Sequence, residues 1–76
     1  MISFLEGTIE HMGDKYIVLN TGGIGYKVIL SPRVLNIVAK IEGKVKLHIH
    51  SQMNMREGTF DMYGFNKKGD LDLFHL

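Results

Sequence analysis

From Lys44 to Met55 the chain alternates side to side: Val45, Leu47, Ile49, Ser51, Met53 and Met55 take one face, and Lys46, His48, His50, Gln52 and Asn54 the other. A period of two sustained over this length predicts a β-strand with one wet face, since a helix would scatter the same residues around its axis. Arg56-Glu57-Gly58 then reads as a charged hairpin tip, and Thr59 to Phe65 as a returning strand, Phe60, Met62 and Gly64 alternating against Asp61 and Tyr63. Upstream, Ile2 to His11 is β-prone, with Gly7 in its middle predicting a bend or bulge. Met12-Gly13-Asp14 supplies turn chemistry, and Lys15 to Asn20 resumes as a strand with Tyr16, Val18 and Asn20 on one face. Thr21-Gly22-Gly23 is a second turn, and Gly25 to Leu30 a third strand with Tyr26, Val28 and Leu30 on one face. The three form an antiparallel meander.

Ser31-Pro32 changes the pattern. Serine is a good N-cap, proline suits the first helical position, and Val34, Leu35 and Val38 fall at helical spacing, so a short helix or a single turn is predicted, ending before Gly43. Its Val and Ile content makes it a poor helix by itself, so packing must hold it. Five strands with a helix between the third and fourth predict a mainly all-β fold: a five-stranded antiparallel Greek-key barrel of the OB type. Asn66 is placed to cap a final helix whose apolar face begins with Leu73, Phe74 and Leu76 and then stops, as if truncated. The expected organisation is therefore a barrel over residues 1–65 and the opening of a helical second domain over 66–76.

Seventy-six residues make one small domain at most. A chain this short buries only about 60% of its unfolded surface, so its stability is marginal. With no cysteine, neither a disulfide nor a thiolate metal site is available to staple it. The N-terminus lacks a basic region and Glu6 breaks its first apolar stretch, which argues against a signal peptide. No apolar run approaches the ~20 residues of a membrane span, so a soluble cytoplasmic domain without membrane contact is expected. Nine Lys and Arg stand against eight Asp and Glu. Phosphate contacts drive nucleic-acid affinity, so a chain this balanced needs help from elsewhere in its polypeptide if it works on DNA.

Thr21-Gly22-Gly23-Ile24-Gly25-Tyr26 invites a phosphate-loop reading. It lacks the third glycine of a dinucleotide fingerprint and any Gly-Lys-Ser/Thr, and it enters a strand where a phosphate loop opens a helix. It is read as a glycine turn plus a bulge. His48 and His50 project from the same face of one strand, but a stable zinc site wants a third or fourth ligand; they are read as solvated histidines, with no metal or cofactor expected. Ser3, Ser31 and Ser51 sit in strand or cap positions without a nucleophile elbow, and Asp70 and Asp72 read as charges favouring a helix N-terminus. No catalytic residue emerges. Arg56 and Glu57 alone would read as solvated tip charges.

Met1-Ile2, Leu5-x-Gly7, Gly22-Gly23-Ile24-Gly25-Tyr26-x-Val28, and Tyr63-Gly64-Phe65 with Leu73-Phe74 together resemble the RuvA N-terminal domain, in the family's order and spacing across the whole chain. The segment between Leu30 and Lys44 is the least characteristic. The resemblance implies a Holliday-junction DNA-binding subunit of the RuvAB branch migration complex, acting in recombination and repair. It implies a homotetramer that holds four-way junction DNA open, partnered by the RuvB motor, which supplies the ATPase; this chain would not be an enzyme. The OB domain would help build the tetramer, while a helix-hairpin-helix domain beyond it grips phosphates. In the family the hairpin between the last two strands bears an acidic pin at the junction centre. Glu57 falls on its first acidic position; the second, commonly Asp or Glu, is here Gly58, and Arg56 stands where a basic residue is usual. The rival reading is a generic OB-fold module binding single-stranded nucleic acid or protein. Such modules stack bases on exposed aromatics, whereas Tyr16, Tyr26 and Tyr63 alternate with core positions and lack a cluster of Lys or Arg around them.

Overall fold

Each predicted strand forms in the computed structural model, which describes residues 2–66. In chain order they are β1 (Phe4–Met12), β2 (Tyr16–Thr21), β3 (Ile24–Leu30), α1 (Pro32–Ala39), β4 (Val45–Asn54) and β5 (Thr59–Phe65). The strands close into a barrel in the order β1-β2-β3-β5-β4. Closure removes the free sheet edges that would otherwise template association. The sheet is not antiparallel throughout: β3 meets β5 in parallel, through Ile29 opposite Tyr63 and Leu30 opposite Gly64. Between them the chain crosses the barrel end through α1 and runs up β4, which leaves β3 and β5 pointing the same way. The expected final helix, with Asn66 as its cap, Asp70, Asp72, Leu73, Phe74 and Leu76, lies outside the described residues apart from Asn66 itself.

The core is aliphatic. Leu5, Ile17, Leu19, Val28, Leu30, Val45, Leu47 and Ile49 point inward from the strands, and Val34 and Val38 cap the barrel from α1. Thus Tyr16, Val18 and Asn20 share the outer face of β2, and it is the alternate set, Ile17 and Leu19, that fills the interior. The α1 helix starts as expected: the backbone N–H of Val34 donates to Ser31 Oγ at 3.3 Å, with Pro32 just inside. Its buried Val34 and Val38, four apart, supply the packing that its composition requires.

Two glycine expectations need correction. The bulge in β1 is not at Gly7 but at Glu10, which has no partner between the pairs Ile9–Leu19 and His11–Val18. Inserting one residue switches the inward parity, so Met12 rather than His11 lies opposite the core residue Ile17. Gly7 instead pairs regularly with Val45 and is buried. A Cβ there would run into the backbone carbonyl of Asn20, so Gly7 marks a close approach of β1 and β2. In the Thr21–Ile24 turn, Gly22 and Gly23 have φ of 63° and 92°, the conformation that two-residue hairpins demand. No bulge follows it: Thr21–Ile24 and Asn20–Gly25 pair in register. Asn20 ties this turn to the bulge, its Oδ1 accepting from Gly23 N–H at 2.9 Å and its Nδ2 donating to Glu10 at 2.7 Å.

Candidate functional site

Strands β4 and β5 are longer than the barrel needs. β1 pairs with β4 only from Val45 to His48, with one more bond from Ile49 N–H to Ser3 O at 2.9 Å. β3 meets β5 only at Tyr63 and Gly64. Past these points the hairpin continues on its own through Ser51–Met62, Gln52–Asp61, Met53–Phe60 and Asn54–Thr59. At about 3.3 Å per residue these pairs make a two-stranded arm roughly 13 Å long. The alternation that defines β4 in sequence therefore spans two environments. Val45, Leu47 and Ile49 are buried, whereas Met53 is 63% and Met55 84% exposed, with Phe60 opposite Met53 at 54%.

The arm ends in Met55, Arg56, Glu57 and Gly58. Gly58 turns the chain back with φ +67°, a left-handed conformation that an L side chain adopts only at a cost. Glu57 N–H donates to Asn54 Oδ1 at 3.1 Å, a side-chain acceptor replacing the strand partner that the loop lacks. Arg56 and Glu57 are both exposed at this end. The structure thus places the two sequence-designated residues side by side at the farthest point of the arm. A fixed negative and a fixed positive charge are held there away from the low-dielectric barrel.

Asn54 and the apolar side of the arm went unrecognised in sequence. An Asn three residues before the tip is a weak turn signal. The apolar stripe was indistinguishable from core, because only the length of the neighbouring strands shows where the barrel stops. His48 and His50 share the outer face, opposite Phe65 and Tyr63, and no third His, Cys, Asp or Glu joins them among the described residues. One lysine reaches a tyrosine across strands: Lys27 Nζ lies 4.7 Å from the Tyr16 ring centroid. Lys46 covers Phe4 likewise at 4.6 Å. Among the described residues no helix is long and apolar enough to cross a membrane.

The RuvA N-terminal domain family model matches residues 1–64, all of the barrel and its arm but the last residue of β5. The chain belongs to this family. Similar proteins named Holliday junction branch migration complex subunit RuvA agree. The one from Brevibacillus brevis is 39% identical over 74 residues, covering 97% of this chain and 35% of the relative. That from Ehrlichia canis is 40% identical over 76 residues, covering 100% and 39%. That from Chlamydia trachomatis serovar D is 32% identical over 77 residues, covering 100% and 38%. The chain thus spans little more than a third of the length of these RuvA relatives, and its arm and barrel fall inside the matched third.

Proposed function

We propose that this chain is the OB-fold part of a Holliday-junction DNA-binding subunit of a branch migration complex, acting in recombination and repair. The observation that carries the proposal is the arm. A RuvA-family barrel extends one hairpin beyond its own wall and ends it with an exposed Glu57 and Arg56. The chain's role is non-catalytic: ATP hydrolysis belongs to a RuvB partner, and the chain builds a homotetramer that presents four tips at the junction centre, in the cytoplasm.

The chemistry follows from charge. A junction centre crowds phosphates from four strands, and a carboxylate there disfavours collapse of the backbone onto the protein. Two unit charges ~8 Å apart in water repel by about 0.5 kcal/mol, enough to bias strand position without expelling the DNA. Repeated on each subunit, the repulsion keeps strands apart and lets them slide, while the Arg56 guanidinium meets a phosphate near the crossover. The net charge of +1 fits this division of labour, because a near-neutral chain offers little phosphate grip of its own, leaving the tip carboxylate to space the strands while the grip is supplied from elsewhere in the polypeptide.

The test is a gel shift of the full-length protein on a four-way junction against linear duplex of equal length. The proposal expects clear preference for the junction and ATP-dependent branch migration once a RuvB motor is added. Equal affinity for junction and duplex would refute the proposal, and tighter binding of a single-stranded oligonucleotide of the same length, run as a third probe, would favour the generic OB-module reading.

A further inference from the structure

We infer that Asn54 is a positioning residue for the tip carboxylate; the inference rests on the pin reading above and assigns a task to a side chain outside it. Asn54 and Thr59 form the last pair of the arm, so Met55 to Gly58 have no ladder to hold them. Within that loop Glu57 is restrained from both sides. Its own N–H donates to Asn54 Oδ1 at 3.1 Å, and the next residue, Gly58, is set at φ +67°. Asn54 is exposed and pairs across the arm only with Thr59, so its amide is not needed to fill the core. What it does is satisfy the one backbone donor that belongs to the acidic residue.

The restraint matters because a charge acts through distance. Coulomb energy falls as the inverse of separation, and at physiological salt it is screened over about 8 Å. A loop free to swing by several ångströms would average the Glu57 charge over positions where phosphates no longer feel it. The neutral Asn54 amide holds the loop without adding a field of its own. Its work is therefore visible only through Glu57.

That dependence defines the experiment, performed on the full-length protein with branch-migration rate on a four-way junction as the readout. Asn54→Ala removes the acceptor, Asn54→Ser restores a neutral one that can reach an N–H three residues on, and each is combined with Glu57→Gln. Asn54→Ala is expected to shift the rate in the same direction as Glu57→Gln by about twofold, the worth of a weak exposed hydrogen bond. Asn54→Ser should recover the parent rate, and Asn54→Ala should be silent on top of Glu57→Gln. Amide exchange at Glu57 should quicken in the alanine variant and not in the serine one. Should the alanine variant fail to fold, Asn54→Val, a good strand former without an acceptor, serves the same comparison. An Asn54→Ala effect that adds in full to that of Glu57→Gln, or none where Glu57→Gln has one, overturns the inference and leaves the pin reading standing. A silent Glu57→Gln overturns the pin reading itself, and the role of Asn54 with it.

Discussion

Glu57 and Gly58 are neighbours at the tip, yet different physics governs each. Glu57 is exposed, so its contribution should follow charge and not shape. Glu57→Gln is expected to tighten junction binding slightly and slow sliding; Glu57→Lys should do more of both. Both effects should shrink as salt rises. Affinity and branch-migration rate at two salt concentrations check the ordering, and an ordering that ignores charge refutes it. Gly58 is a backbone position. An open space surrounds it, but its φ of +67° costs an ordinary L residue about 1–2 kcal/mol. Gly58→Asp, which adds a second acid to the tip, should therefore strengthen the charge effect while lowering the melting temperature. Gly58→Ala should lower it without the charge effect. The sequence showed which residue type departs from the family pattern; the dihedral angle supplies the reason it fits. Gly7 shows the converse. Its position in a strand was plain, but its partner, the Asn20 carbonyl, is on another strand. Gly7→Ala is expected to destabilise the domain by roughly 3 kcal/mol, because the obstacle is backbone and cannot rotate away. Chemical denaturation measures it.

Among the elements, the β4–β5 hairpin is divided in function along its length. Every fully buried core residue of β4 lies at or before Ile49, and residues 51–62 pair only with each other. Since His50 and Tyr63 are directly paired, replacing 51–62 with Asn-Gly gives a two-residue loop of the kind that closes hairpins. The shortened domain is expected to keep its strand circular dichroism and a cooperative melt, losing at most the packing of the half-buried Met62. In the full-length protein the same change should abolish branch migration while the fold survives. A shortened domain that cannot fold would show that the arm belongs to the barrel. The start of α1 is legible beforehand, because its signal, Ser31-Pro32, is local. Its N-cap bond to Val34 is 3.3 Å long, and Ser31→Ala should cost about 1 kcal/mol in a thermal melt.

At the scale of the molecule, charge balance sets an expectation for the barrel alone. Nine basic against eight acidic residues offer few phosphate contacts, so the 76-residue chain should show negligible junction affinity at physiological salt. Submicromolar, salt-sensitive binding of four-way DNA by this chain would move the grip into the OB-fold. Strand positions along the chain, helix placement and the location of Arg56 and Glu57 at a hairpin tip were readable beforehand, because periodicity, caps and turn residues are written in adjacent positions. Three features were not. The bulge at Glu10 carries no glycine or turn residue to mark it and shows only in the pairing of Ile9 and His11 with β2. The Lys27–Tyr16 and Lys46–Phe4 contacts depend on which strands lie side by side. The arm exists because β1 and β3 end their pairing early, leaving Met53, Met55 and Phe60 exposed on what reads in sequence as a continuous core face. Sequence by itself determined which residues form strands and how side chains alternate along an unbroken stretch of one, because pleating is a local property. Only the tertiary structure decided how far the barrel wall extends along those strands, because burial depends on what stands opposite.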